Sequence, residues 1–336
     1  MESSVSPPLV SVIMPVYNGE KFVRQSIDSI LDQSFSGFEF IILDDGSTDK
    51  SLSILRRYEA QDHRIRLISR VNKGLVASLN EMLNLARGAY IVRMDADDIS
   101  MSKRIEKQLS FMVDNPSVDI CGSYIRVFGG FPYTQKFPIS SEAIKAGLLF
   151  YTPLAHPALM IKASFFKDKK YDEAYQKAED LQLWASSIRS YECHNIPETL
   201  LHYRCHKNQI SKVYDTHQAN LSAEIREALF NELGFSLTNT ELQLHKEIAN
   251  GQHVDIQAAL DLLNKISYQN SYFSAEVLDS QIDYILWKVL GYSSSDGLSV
   301  LFKYFELKKN FPFNVSFISK FIFLLKVLFK KNKFLS

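Results

Sequence analysis

Three carboxylates stand within four residues in "YIVRMDADDIS": Asp95, Asp97 and Asp98. Like charges so close repel, so the cluster is either a solvated turn or a site for something positive. A strand-like apolar run, "YIVRM", leads into it. Carboxylates one residue apart at a strand end can share a hard divalent cation with a ligand's phosphates, since magnesium and manganese favour oxygen donors. A metal there would neutralise a diphosphate leaving group and help break the bond to it. A second acidic stretch, "LDDGSTD", offers Asp44 and Asp45, and suits a ribose or a base, because a carboxylate accepts from sugar hydroxyls or an imide N–H. Gly46 allows close backbone approach there. The competing reading is an Asx turn with Ser47 to Asp49 capping the next helix.

Two further groups carry possible chemistry. In "AEDLQLW", Glu179 and Asp180 precede an amphipathic helix. Spacing alone favours acids that complement the helix dipole; the alternative is a general base facing a hydroxyl. "CHNIPETLLHYRCH" holds Cys193, His194, His202, Cys205 and His206, but in no standard zinc spacing. Arg204 or His206 could instead meet a diphosphate, which suits arginine's forked donors.

The elements that must position these residues follow from the apolar pattern. "LVSVIMPV", "FEFIILDD", "RIRLIS", "AYIVRM" and "SVDICGSYIRVFG" read as strands, separated by helical segments, of which "LVASLNEMLNLARG" closes on Gly88 as a C′ glycine. Such alternation predicts a mostly parallel sheet with helices on both faces, and ligands in such sheets bind beyond the carboxyl ends of the strands. Three of those ends read "PVYNGE", "LDDGSTD" and "RMDADD", so the acids converge on one edge. From about Tyr214 the chain turns helical. The expected division is 1–213 and 214–336.

The chain has 336 residues, with 38 basic and 38 acidic side chains, which argues against a general nucleic-acid binder. Three cysteines without a CxxC, no signal-like N-terminus and no long apolar run predict a cytoplasmic protein. The C-terminal "FISKFIFLLKVLFKKNKFLS" reads either as a helix docked on the core or as a basic amphipathic helix on a membrane surface.

Taken in order, "VSVIMPVYNGEKFVRQSIDSIL", "FEFIILDDGSTDKS", "NKGLVASLN", "YIVRMDADD", "AEDLQLW" and "YRCHKNQIS" resemble family 2 of the inverting, metal-dependent glycosyltransferases, of the GT-A fold and the bacterial surface-polysaccharide type. The likeness runs from about Val10 to Ser211. It implies a Rossmann-like domain followed by a helical region, and a nucleoside-diphosphate-sugar donor, most often UDP-linked. It implies that Pro15, Tyr17 and Asp45 line a uridine pocket and that Asp95 lies near ribose and metal. Asp97 would ligate Mn²⁺ or Mg²⁺, and Asp180 would be the general base. His206 would lie near the diphosphate or the metal, and Asp98 would help to orient the acceptor. The acceptor would be a saccharide or lipid-linked saccharide, reached at the inner leaflet, and a homodimer could form through the helical region. The Gln-x-x-Arg-Trp signature of processive members is missing, which implies one sugar per acceptor. The readings in competition are a catalytically inactive GT-A scaffold and a nucleotidyltransferase, although "PVYNGEK" makes a poor phosphate loop for the latter.

Overall fold

A computed structural model describes residues 7–206 and 216–293. The basic tail from Phe317 onward lies outside them. Two compact units divide the chain: Met1–Ile144 with Thr152–Gln218, and Lys145–Tyr151 with Ala219–Ser336.

The first unit is built on a sheet of nine strands among the described residues. Strands β1 (Val10–Val16), β2 (Phe38–Asp44), β3 (Ile65–Ser69) and β4 (Tyr90–Arg93) run parallel in the order β3-β2-β1-β4. β1 and β2 are apolar almost throughout because both faces are covered, as parallel strands require. The intervening helices α1 (Val23–Leu31), α2 (Ser51–Gln61), α3 (Leu75–Leu85) and α4 (Arg104–Asp114) pack against the sheet. Each buries an apolar stripe, such as Val23, Ile27 and Ile30 of α1.

Beyond β4 the sheet is no longer parallel. β8 (Met160–Lys162) runs antiparallel to both β4 and β6 (Ile120–Phe128). β9 (Cys193–Arg204) lies parallel to β6, while β5 (Ile99–Ser100) pairs antiparallel with β9 and β7 (Tyr133–Gln135) with β6. The expected fifth strand is therefore β6, separated from β4 by β8. The two-residue β5 lies inside the aspartate stretch and draws it onto β9.

Two glycines and one proline explain themselves through this frame. Gly88 is not a C′ glycine: α3 ends at Leu85, and a Cβ on Gly88 would stand 2.5 Å from the Ser11 backbone nitrogen. Its role is the close passage beside β1, where its N–H donates to Ser11 Oγ at 2.8 Å. Gly46 takes φ +75°, and a Cβ there would lie 2.7 Å from the Asn72 nitrogen. Pro15 sits in a central strand, yet the β4 ladder ends at the Ile13 and Arg93 pair, so on that side its missing N–H removes no ladder bond.

The second unit gathers α7 (Thr216–Glu232) beyond Gln218, α8 (Asn239–Ala249), α9 (Ile256–Gln269) and α10 (Ala275–Tyr292) with residues 145–151. α8 starts on a capping box, with Thr238 and Glu241 bonding each other's backbone. Buried His245 lies between the Phe150 and Phe230 rings, and burial pushes its pKa down to about 3. Among the described residues no helix is long and apolar enough to cross a membrane.

Candidate functional site

The carboxyl ends of β2, β1 and β4 lie side by side, and their loops are tied together. Asn18 takes φ +52°, which lets its N–H donate to Ser47 Oγ at 2.9 Å while its Oδ1 accepts from Thr48 N–H at 2.8 Å. The Glu20 N–H donates to Asp49 Oδ2 at 3.0 Å. Ser47 and Thr48 thus bridge the two loops instead of capping α2; Asp49 alone reaches the helix, accepting from the Ser51 N–H at 2.8 Å. Tyr17 is left 55% exposed at the rim, with Pro15 half-buried beneath it. Asp45 is buried, and its carboxylate accepts from the Lys73 and Gly74 N–H groups at 2.9 and 2.8 Å and from Arg70. It is a clasp joining the ends of β2 and β3. Asp44 is buried too, with Oδ1 unpartnered among the described residues.

The aspartate stretch is held from below and from the side. Arg104 is fully buried and donates through Nη2 to the Arg93 carbonyl at 2.8 Å and the Leu159 carbonyl at 3.1 Å. Ser26 of α1 donates to the Asp98 carbonyl at 2.7 Å. Asp98 is fully buried, so it cannot meet an acceptor; its Oδ1 accepts from the Arg204 N–H at 2.8 Å and staples the stretch to β9. The Arg204 guanidinium braces the loop as well. It donates to the Asp97 carbonyl and to Gln25 Oε1, both at 2.7 Å, and lies over the Phe22 and Phe128 rings at 4.5 and 4.6 Å. Two of its donor atoms and its faces are thus engaged in bracing the loop.

The braced loop presents Asp95 and Asp97, both half-buried. One ligand atom from each of Asp95, Asp97 and Asp98 fits within 4.8 Å, the one such group of three among the described residues. His206 Nε2 lies 2.9 Å from Asp97 Oδ2, with the ring against Phe22. Burial raises the Asp97 proton affinity and the Asp95 charge raises it further, partly opposed by His206. Asp98 is pushed well up by burial and by both neighbours. Asp95 pairs with Arg93 at 2.5 Å, and the donors of the cluster are carboxylate oxygens with one imidazole beside them. That set fits Mn²⁺ or Mg²⁺. The mixed Cys and His stretch gathers no such group: Cys193 is buried, and the His194 ring stacks on Phe111 at 4.5 Å.

The acid pair opens α6 (Glu179–Ser186), the next α-helix in the chain after α5 (Ser141–Leu148). Asp180 is half-exposed, and its Oδ1 faces the Leu181 N–H at 2.7 Å. Glu179 is 5% exposed, with Oε2 lacking a hydrogen-bond partner. Burial first, then the Asp180 charge, raise its pKa to about 7; the field of Arg93 works against them. A helix-dipole role would leave Glu179 in solvent, so burial of both its charge and its length points to chemistry. Arg93, whose guanidinium pairs with Asp95 at 2.5 Å, is the residue the sequence reading passed over. The available signal was the arginine inside an apolar strand directly before the acids.

Comparison with known proteins agrees with this architecture. Residues 11–173 match the profile of glycosyl transferase family 2. A Haemophilus influenzae protein described as an uncharacterized glycosyltransferase is 35% identical over 233 residues, covering 65% of this chain and 72% of its own. The O-antigen biosynthesis glycosyltransferase WbnJ of Escherichia coli is 33% identical over 231 residues, 66% of this chain and 89% of its own. Among solved structures, S. aureus TarS 1–349 in complex with UDP-GlcNAc superposes with a TM-score of 0.57 at 17% identity, covering 88% of this chain and 91% of that one, a likeness of fold. With a matching profile, relatives aligned over most of their length and a GT-A sheet carrying its acids at the strand ends, the chain is a glycosyltransferase and belongs to glycosyl transferase family 2.

Proposed function

We propose that the protein transfers one sugar from a nucleoside-diphosphate sugar, UDP-linked, to a hydroxyl of a saccharide or lipid-linked saccharide acceptor during surface-polysaccharide synthesis. The observation that carries this reading is the braced pair Asp95 and Asp97 at the end of a parallel strand, with His206 beside it. The WbnJ name supports the polysaccharide context, and the UDP-GlcNAc in the TarS structure supports the donor class.

In this reading Pro15 and Tyr17 line the uridine pocket and Asp45 supports its wall. Asp97 and Asp95 would hold Mn²⁺ or Mg²⁺, with His206 nearby; a bound cation supplies Lewis-acid stabilisation of the departing diphosphate. Asp180 takes the proton from the acceptor hydroxyl. That oxygen bonds to the anomeric carbon as the bond to the diphosphate breaks on the opposite face. Configuration inverts, and an α-linked donor gives a β-linked product. Association with the cytoplasmic face of the membrane through 317–336, and a homodimer through the helical unit, belong to the same proposal. Co-sedimentation with anionic liposomes and sedimentation velocity test them.

Calorimetric titration of UDP with and without Mn²⁺, beside Asp97→Ala, tests the core of the reading. Metal-dependent binding that the variant loses is expected. No binding of UDP, GDP or dTDP by the wild type in the presence of metal refutes it.

A further inference from the structure

The fold leaves one side of the acid cluster without an assigned ligand. Strands β4 and β6 both run antiparallel to β8, and β9 runs parallel to β6. The carboxyl ends of β6 and β9 therefore lie at the same sheet edge as Asp95 and Asp97. β6 stands two strands along from β4, about 10 Å at the usual strand spacing. Pro15, Tyr17 and Asp45, read above as the uridine side, lie the other way, on β1, β2 and the loops after them. An inverting displacement brings the acceptor oxygen in opposite the departing diphosphate. The acceptor must then approach from the side of β6 and β9.

β6 ends on that side in a hairpin, "FGGFPYTQ", which returns as β7. Its tip carries Phe131, Pro132 and Tyr133, all exposed. Phe131 is 86% exposed, more than any other large apolar side chain described in the first unit. Three such residues in a row make a contiguous apolar tip, and a patch of this kind beside a cleft marks a ligand surface. The hairpin is tied down at its base. The Cys205 N–H donates to the Phe128 carbonyl at 2.7 Å, and Gly129, at φ +86°, passes so near that a Cβ would stand 2.5 Å from the Cys205 carbonyl oxygen. The Phe128 ring lies 4.6 Å from the Arg204 guanidinium, whose Nε bonds the Asp97 carbonyl at 2.7 Å. Hairpin and acid loop thus share one brace. His206, beside Asp97, follows Cys205 directly. With 3.8 Å between consecutive Cα atoms, these contacts hold Phe131 within about 18 Å of His206.

We propose that Phe131 is the platform of an acceptor subsite, on which a saccharide ring behind the reacting unit lays its flat C–H face. This deepens the transferase reading above and rests on it. A sugar ring matches a single aromatic ring in size, with an apolar face and a polar rim. A bilayer is the poorer occupant: even one acyl chain binds it only marginally, and this tip offers less apolar surface than that.

The test uses the full chain with UDP and Mn²⁺ present, and an array of immobilised bacterial, plant and mammalian glycans as the probe. The wild type is expected to bind a subset of them. Phe131→Ala should weaken that binding about tenfold, the scale of one aromatic stacking contact. Phe131→Trp should keep it, and Phe131→Leu, apolar but not flat, should lose it as the Ala variant does. UDP affinity by calorimetry checks folding and should stay within about twofold in all three, since the side chain is exposed. Equal glycan binding by wild type and Ala variant overturns the proposal. So does a Leu variant as good as the wild type, or a wild type that binds no glycan. Vesicles of phosphatidylglycerol and phosphatidylethanolamine give the other arm. Wild type, Trp and Leu variants that sediment with them while the Ala variant does not, with glycan binding unmoved, assign the tip to lipid and overturn the subsite. A wild type that binds no UDP refutes the proposed function and this inference with it, whereas one that binds UDP and fails the glycan arm refutes only the inference.

Discussion

Glu179→Gln makes a prediction about stability that can be worked from the fold. Glu179 binds its proton near pH 7 in the folded chain against an ordinary value of 4.5. At pH below 4.5 both states hold the proton, and the stability it brings is fully present. Between 4.5 and 7 the unfolded chain has released it while the folded chain keeps it, so stability falls as pH rises. One pH unit in that window is worth about 1.4 kcal/mol, giving a total loss of about 3 kcal/mol by pH 8. Glutamine cannot titrate, so the variant should not show this loss. Its amide would, however, place a donor where Oε2 now has no partner, a penalty of about 1 kcal/mol at every pH. The curves should therefore cross: the variant is about 1 kcal/mol less stable at pH 4, where the loss has barely begun, and about 2 kcal/mol more stable at pH 8. Urea unfolding followed by fluorescence measures this. Trp184 is fully buried on α6, and replacing Trp287 by Phe in both proteins leaves it as the sole reporter. Wild type and variant losing stability in parallel from pH 5 to 8 would refute the assignment of a retained proton to Glu179.

Two other outcomes are expected. Asp180→Asn should bind donor as the wild type does and lower transfer by about 10²–10⁴-fold, the usual contribution of a positioned base; near-normal turnover removes Asp180 from that role. Arg204→Leu keeps apolar contact with Phe22 and Phe128 but loses the bonds to the Asp97 carbonyl and Gln25. UDP affinity in the presence of Mn²⁺ should weaken about tenfold, the scale of one charge-assisted hydrogen bond, and unchanged affinity would show that the loop keeps its shape without the brace.

The parallel half of the sheet was legible because β1, β2 and β4 are apolar runs that need cover on both faces, and because the ends of β2 and β4 carry the acids. The antiparallel half was harder to see. β5 is two residues long and exists only because β9 lies opposite, a pairing no local pattern announces. Gly88 was misjudged for the same reason: what excludes a Cβ is Ser11, far away in sequence. At the site, the acid clusters could be read from their spacing, but not which acids face the cleft. Asp98 and Asp97 are adjacent and chemically alike; one is fully enclosed and the other half-open, and only the β9 contact decides which. The bracing by Arg204 was equally hidden, because its neighbours Phe22 and Gln25 at the start of α1 and Phe128 on β6 come from distant parts of the chain.

The assignment of Lys145–Tyr151 to the helical unit has a consequence for how this chain is made. Ala146, Leu148, Leu149 and Phe150 are at most 1% exposed in the finished protein, and Arg226 of α7 donates to the Leu148 carbonyl. On the ribosome this heptapeptide emerges more than a hundred residues before α10, whose Gln281 accepts from the Tyr151 hydroxyl. At about 5–20 residues per second it waits roughly ten seconds with its apolar side chains bare. Nascent chains should therefore recruit a holdase at this segment. A fragment ending at Gln218 should inherit the same exposed stretch permanently and aggregate unless those four residues are made polar.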